Sequence, residues 1–316
     1  MRRKFSFNRT GWLIGFPLIL AAAGLFLAAG PVAAQEKTTF ARSLPAGNYS
    51  VSQEYFFSLI VTVAQTSQTA QEKVKFLWNM RVDEPNGGEP KSVHLAIRHV
   101  FFQAQDKRRL PHTLIFDSEY SSIASPVMRA FYDNLRAADI RVCFDGPLNV
   151  TKISGLESLR TTLDETASDD TEAAIFLSVV KNVLNDAALS EMFSQMFYLL
   201  PAEAVQVGDR WTNETSIALP VLGKTPVQWE TQWKKTESFG SDLLATLSGK
   251  CQIPFDESTT VNVSLDGVYD LTSGLNLELT SRAVVSKKET VAVGGENQEV
   301  KTVGMVRGIQ KISPVE

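Results

Sequence analysis

Hydrophobic and polar positions follow a period of two through the first third of the chain, then of about three and a half, then of two again. From Lys73 to Asp83, Val74, Phe76, Trp78, Met80 and Val82 share one face. Lys75, Asn79 and Arg81 point away and Leu77 is the exception, which is the signature of a half-buried antiparallel strand. Before it, Gly47 to Gln65 is rich in Tyr, Phe, Val, Ile and Thr and reads as an opening strand. Pro85-Asn86-Gly87-Gly88 has turn chemistry, and Ser92 to Gln103 forms the next strand. Ser125-Pro126 is an N-cap followed by proline at the first helical position, which predicts a short helix from Pro126 to about Arg136. Arg141 to Phe144 and Leu148 to Ile153 flank Asp145-Gly146, a hairpin signal.

The helical block comes next. Ser154-Gly155-Leu156-Glu157 and Asp169-Asp170-Thr171-Glu172 match capping boxes. Helices are expected over about 156–166, 172–185 and 188–199. Phe176, Val179, Val180, Val183 and Leu184 recur at helical spacing, as do Met192, Phe193, Met196, Phe197 and Leu200. Pro201 ends the block. Period two then returns: Val227, Trp229, Thr231 and Trp233 share a face, and Val261, Val263 and Leu265 alternate with polar neighbours. Leu275, Leu277 and Leu279 continue the pattern and Glu299 to Ile312 closes it, giving about six strands after the helices.

This order predicts a mainly β (α+β) fold: one curved antiparallel sheet or half-barrel with a central helical segment packed on its concave face. Two smaller β domains joined by a helical linker would satisfy the same order, but the helix faces are too apolar to stand in water. A single β-rich domain is expected over residues 35–316, with the helical insert at about 156–199.

Residues 1–34 read differently. Met1 to Arg9 is basic, Gly11 to Gly30 is almost wholly apolar, and Val32-Ala33-Ala34 supplies small residues for a peptidase. That is the pattern of a secretory signal peptide, and it predicts export to the periplasm or the outside. A retained anchor is the competing reading. Pro17, Gly24 and Gly30 weaken it. After residue 34 no apolar stretch is long enough to span a bilayer. With 44% apolar and 21% charged residues the chain is not disordered. It carries 31 Lys+Arg against 35 Asp+Glu. Arg2, Arg3, Lys4 and Arg9 lie in the signal, so the remainder is more acidic still and poorly suited to nucleic acid.

Three short motifs carry a resemblance. Leu200-Pro201, then Val205-Gln206-Val207-Gly208-Asp209-Arg210-Trp211, then Gly267-Val268-Tyr269-Asp270-Leu271-Thr272-Ser273-Gly274 resemble an uncharacterised family of exported bacterial β-rich proteins. The likeness takes in Asp145-Gly146 and Ile153-Ser154-Gly155 and spans roughly residues 45 to 312. More loosely, strands around a helical plug are similar to the unclosed β-barrels of lipoprotein carriers. The family has no established activity, so the resemblance implies compartment and architecture and nothing catalytic. Read on its own chemistry, Gly208-Asp209 is a turn anchor, with Trp211 pinning the following strand to the core.

Candidate chemistry is sparse. His94, His99 and His112 have no metal-ligand spacing. There is no Gly-x-Ser-x-Gly elbow and no phosphate loop or dinucleotide fingerprint. No catalytic residue, metal or cofactor is expected, and the protein is read as a non-enzyme. Cys143 and Cys251 both lie in strand-like contexts, where a disulfide and two buried thiols are equally ordinary. Trp78, Phe176, Phe193, Met196, Phe197, Trp229 and Trp233 either fill the core or line an apolar pocket between sheet and helices. The function expected is binding or carrying an apolar or lipid-like molecule. The alternatives are an envelope structural or interaction protein with a protein partner, and a hydrolase with a site assembled from distant residues.

Overall fold

The structure, a computed structural model, describes residues 37–315 apart from 43, 64, 86–90, 107–109, 111, 124, 146–148, 158, 160, 162–170, 220–222, 257 and 294–295. Residues 36–316 form one compact unit. Its strands are β1 (Gly47–Val63), β2 (Thr66–Val82), β3 (Lys91–Asp106), β4 (Leu114–Asp117), β5 (Ile140–Asp145) and β6 (Asn149–Ser154), followed by β7 (Arg210–Leu219), β8 (Gly223–Phe239), β9 (Asp242–Asp256), β10 (Thr259–Asp270), β11 (Asn276–Val293) and β12 (Glu296–Pro314). Three α-helices are described, α1 (Pro126–Ala137), α2 (Thr171–Val183) and α3 (Asp186–Gln195), besides a 3-10 helix at Ser118–Ile123.

All twelve strands belong to one antiparallel sheet in the order β6-β5-β3-β2-β1-β12-β11-β10-β9-β8-β7, with β4 added beside β3. The first and last strands are its central seam, paired from Tyr49↔Pro314 to Val63↔Val300. Its two edges, β6 and β7, are the strands that lead into and out of the helical block. Laid flat, eleven strands would span about 50 Å. Yet α3 touches both β6 and β7, while α2 touches β2 and β3. The sheet therefore curls around the helices without closing. This is the half-barrel with a helical plug that the alternating pattern implied.

Aromatic contacts hold the plug in place. Phe176 of α2 meets Phe102, Phe116 and Phe131 at ring-centre distances of 5.2, 5.1 and 5.5 Å, and Phe193 of α3 meets Phe144 at 5.3 Å. Among the described residues no single helix is long and apolar enough to cross a membrane. The apolar pair α2 and α3, bent by 50° at its junction, is the core of the unit.

The exit from α3 is the most heavily anchored part. The carbonyls of Phe193, Ser194 and Gln195 take the amides of Met196, Phe197 and Tyr198, and side chains from the strands and from Arg42 serve the carbonyls of the turn that follows. Tyr269 Oη donates to the Met196 carbonyl at 2.8 Å, and Asn276 Nδ2 reaches the same oxygen at 3.4 Å. Asn213 Nδ2 bridges the carbonyls of Tyr198 and Leu200 at 2.8 and 2.9 Å. Trp211 Nε1 donates to Leu199 at 3.2 Å, and Arg42 donates to Leu200 at 2.8 Å. Two glycines make this docking sterically feasible. A Cβ on Gly267 would sit 2.6 Å from the Tyr269 ring, and one on Gly249 would sit 2.3 Å from Leu199 Cδ2.

Several boundaries differ from the periodicity. β2 begins at Thr66 rather than near Lys73, because Thr66 to Glu72 extends past the plug and has no apolar face to show. β4 has four residues, too few to display a period. α3 starts at Asp186 because Asn185 Oδ1 accepts the Ala188 amide at 2.8 Å, and it ends at Gln195, after which the chain turns to present its carbonyls to the strands. The signal at 1–34, most of the helix expected at 156–166, Gly146 and Asn86 to Gly88 lie outside the described residues.

The disulfide alternative is corrected: Cys143 and Cys251 are free thiols. They stand on β5 and β9, with six strands between them in the sheet order, and each faces its own ladder partners. Burial pushes the Cys251 thiol up to about 11, leaving it inert as a nucleophile at neutral pH.

Replacing Gly249 with Ala should drive the buried Leu199 off strand β9 and lower unfolding stability by about 1–3 kcal/mol. Chemical denaturation of the two proteins measures this directly.

Candidate functional site

The plug does not fill the hollow completely. A cavity of about 210 Å³ remains between the α2–α3 turn and the inner face of the sheet. Its sheet side is built from Tyr55 and Phe57 of β1, Val306 and Ile309 of β12, Leu279 and Ala283 of β11, Val263 and Leu265 of β10, and Trp229 and Ile217 of β8 and β7. Asn182, Val183, Ala188, Glu191, Met192, Gln195 and Tyr198 face them.

Small residues open this space. Gly308 lies between Tyr55 on β1 and Ser281 on β11 in the ladder. A Cβ there would come within 2.6 Å of Ser281 Oγ and 3.6 Å of the Tyr55 ring. One rung outward stand Phe57, Val306 and Ala283, and the next is Leu59, Gly304 and Val285. Leu59, Val306 and Val285 are 39%, 38% and 37% exposed, so the apolar surface continues from the cavity toward the strand tips. One rung inward the floor turns polar: Gln53 of β1 lies opposite Gln310 of β12. Trp78 Nε1 donates to Gln53 Oε1 at 2.8 Å, and Gln53 Nε2 faces Tyr55 Oη at 3.4 Å. Gln310 Nε2 is buried without a hydrogen-bond partner among the described residues.

Among the described residues Glu191 supplies the only formal charge on the wall. Its Oε1 accepts from Gln195 Nε2 and its Oε2 from Tyr198 Oη, both at 3.0 Å. Burial, and then the Glu191 charge, push the Tyr55 hydroxyl up to about 12; the same two causes raise Tyr198 well above the ordinary phenol range. Both phenols are therefore neutral hydrogen-bonding groups. Trp229 completes the wall, its Nε1 donating to Thr215 Oγ1 at 3.0 Å.

Of the seven residues expected to line a pocket, Trp229 is on this wall and the other six are packed elsewhere in the core. Trp78 lies beneath the floor, bonded to Gln53. Phe176 and Phe193 sit in their aromatic contacts, Trp233 stands edge-on to Phe40 at 5.2 Å, and Met196 and Phe197 are buried at the plug exit. Large aromatics on a strongly periodic face are the side chains best able to close a core. The opening formed instead where side chains are small. Gly304-x-Val306-x-Gly308 on one face of a strand, with glutamines at core-facing positions, was the signal available in the sequence.

Away from the cavity, His99 Nε2 lies 2.8 Å from Asp117 Oδ1, which also accepts the Glu119 amide at 3.0 Å. With Glu119 these form the one three-residue cluster of metal-capable side chains found among the described residues. The histidine and the aspartate already satisfy each other.

Fold and cavity together define a class: an antiparallel half-barrel with a latched helical plug and an apolar hollow left open on one side. The chain matches a family of unknown function (DUF6263) over residues 105–289, more than half its length, and belongs to that family. No curated protein matches it. Among solved structures, a lipovitellin structure titled for its lipid–protein interactions aligns over 86% of this chain at 9% identity with a TM-score of 0.46, and the chain covers 26% of that protein. The translocator domain of the autotransporter NalP from Neisseria meningitidis aligns over 83% of this chain and 88% of its own at 7% identity and a TM-score of 0.19. A putative outer-membrane lipoprotein-sorting protein domain from Vibrio parahaemolyticus gives 84%, 86%, 10% and 0.11 for the same measures. These overlaps are too shallow to transfer a fold or a ligand.

The motifs inside the matched region serve the latch. Gly208, at φ +94°, turns the chain so that Asp209 Oδ2 accepts the Gln206 amide at 3.0 Å, which sets Trp211 against Leu199. Asp270 closes the turn behind Tyr269, taking the Thr272 amide at 2.9 Å and the Ser273 hydroxyl at 2.6 Å. Burial alone would raise the Asp270 carboxyl, but the Ser273 hydroxyl and the Thr272 and Ser273 amides outweigh it and hold it below the usual carboxylate range.

A carboxylate depressed in the folded state stabilises the fold above its unfolded pKa, near about 3.9, and loses that contribution as pH falls through the lower folded value. Asp270→Asn should therefore melt at a lower temperature than wild type at neutral pH, with the gap closing below about pH 4. Thermal melts of both proteins across that range check the sign.

Proposed function

We propose that this protein is an exported, non-catalytic binding or carrier protein for an apolar, lipid-like molecule held between the helical plug and the hollow of the sheet. The observation that carries the reading is the cavity. It is walled by Trp229, Met192, Val183, Ile217, Val263, Leu265 and Leu279, and it continues onto the exposed apolar strip of Leu59, Val285 and Val306. Apolar walls around a few convergent polar groups are the usual make-up of a small-molecule site. At about 210 Å³ the cavity, open on one side, exceeds an engineered cavity of about 150 Å³ that binds benzene. It is smaller than the about 300 Å³ or more of a typical drug-sized site. It suits one segment of a longer molecule whose remainder lies along the strip. Export is supported by the basic, apolar and small-residue succession of residues 1–34.

Protein purified without detergent should show a co-purifying apolar mass by native mass spectrometry, and after delipidation it should bind the neutral probe N-phenyl-1-naphthylamine. Ala283→Phe, which fills the cavity from β11, should weaken probe binding by about tenfold or more while melting within a few degrees of wild type. Probe affinity unchanged by that substitution would place the apolar site elsewhere.

A further inference from the structure

The cavity carries one feature that a purely hydrocarbon ligand would not use. Gln310 is 8% exposed, lines the cavity, and its Nε2 has no hydrogen-bond partner among the described residues. Its cross-strand neighbour Gln53 is in the opposite condition, with Oε1 taken by Trp78 and Nε2 turned to Tyr55. Gln310 Nε2 is thus a donor without an acceptor beside the floor of an apolar chamber; it is covered by protein, and rotation of its amide would bring it to a ligand oxygen. A buried amide N–H with no acceptor is costly, and a ligand that supplies the acceptor recovers that cost on binding.

The charges on the wall narrow the acceptor's chemistry. Among the described residues no Lys or Arg lines the cavity, and its one charged side chain is Glu191. A ligand carboxylate would be desolvated beside a like charge with no counter-ion, which strongly disfavours the anion. A ligand ammonium could add to the bonds that Glu191 accepts from Gln195 and Tyr198, but it is a donor only and would leave Gln310 Nε2 unmatched. An alkane would leave Gln310 Nε2 unmatched.

We infer that the site recognises a neutral amphiphile through a carbonyl acceptor, of the kind found in a carboxylic ester, with Gln310 Nε2 donating to that oxygen and the hydrocarbon rising past Met192 and Val263 toward the open strip. The inference rests on the apolar-ligand reading above and adds its head-group chemistry. Gln310 lies three rungs, or about 20 Å along the strand, below the Leu59–Gly304–Val285 rung. That distance gives room for an extended acyl chain on one continuous apolar track.

The test is displacement of N-phenyl-1-naphthylamine at pH 8 by methyl decanoate, sodium decanoate and decane. Methyl decanoate should compete at concentrations about ten- to hundredfold below either of the others. Gln310→Leu, similar in volume, should erase the ester's advantage over decane and leave decane unchanged; Gln310→Met repeats the measurement should the leucine variant not fold. Decanoate matching the ester, or an ester advantage that survives both substitutions, overturns the head-group assignment while leaving the apolar site standing. Failure of the wild-type protein to bind the probe or any of the three overturns the apolar-ligand reading itself, and the assignment with it.

Discussion

Everything in this fold depends on where the chain puts the carbonyls of residues 196 to 200. A chain that turns inside a protein after a helix must find donors for its buried carbonyls. Here they come from Tyr269, Asn276, Asn213, Trp211 and Arg42, residues scattered over more than two hundred positions of sequence. This arrangement fixes the plug against the β7–β11 side of the sheet, while the Phe176 and Phe193 contacts fix it against the β3–β5 side. With both sides held, the two free edges β6 and β7 are drawn toward the same helix and the sheet has to curl.

The hollow follows from that double attachment. Side chains at the two anchored sides are large and interlocked. Between them, over the β1–β12–β11 seam, the facing residues include Gly308, Ser281, Ala283 and Ala188, which cannot reach across the gap. The seam strands also extend beyond the plug, so the gap opens outward rather than being sealed. A stable fold and an unfilled interior are compatible here because the latch contacts, not the seam, carry the docking of the helices. Of the three buried side-chain atoms without a hydrogen-bond partner among the described residues, on Arg141, Thr231 and Gln310, only the Gln310 amide belongs to a residue of the cavity wall, and that ties the architecture to a ligand chemistry.

The sequence revealed the fold more readily than the site. Alternation at Val74 to Val82 and at Val227 to Trp233, and helical spacing at Phe176 to Leu184, were visible because each segment packs one whole face against the core. The stretch Thr66 to Glu72 was not, since its neighbours are solvent on both sides. The pocket was misplaced for a related reason. Trp78, Phe176, Phe193 and Trp233 are conspicuous in sequence because they are bulky, and bulk is what closes a core. The positions that matter for the cavity are marked by the lack of a side chain, as at Gly308, or by a polar residue in an apolar register, as at Gln53 and Gln310. Their meaning depends on which strand lies opposite, and the pairing of β1 with β12 joins the two ends of the domain.

If the latched plug is what shapes the molecule, its backbone should be as hard to open as the sheet's centre. Amide hydrogen exchange followed by mass spectrometry reads this directly. Peptides covering Phe193 to Leu200 should exchange only through global unfolding, at the rate of peptides from the β1–β12 seam. Exchange of that segment at loop-like rates, with the seam still protected, would show that the helices merely rest in the sheet and would contradict the latch.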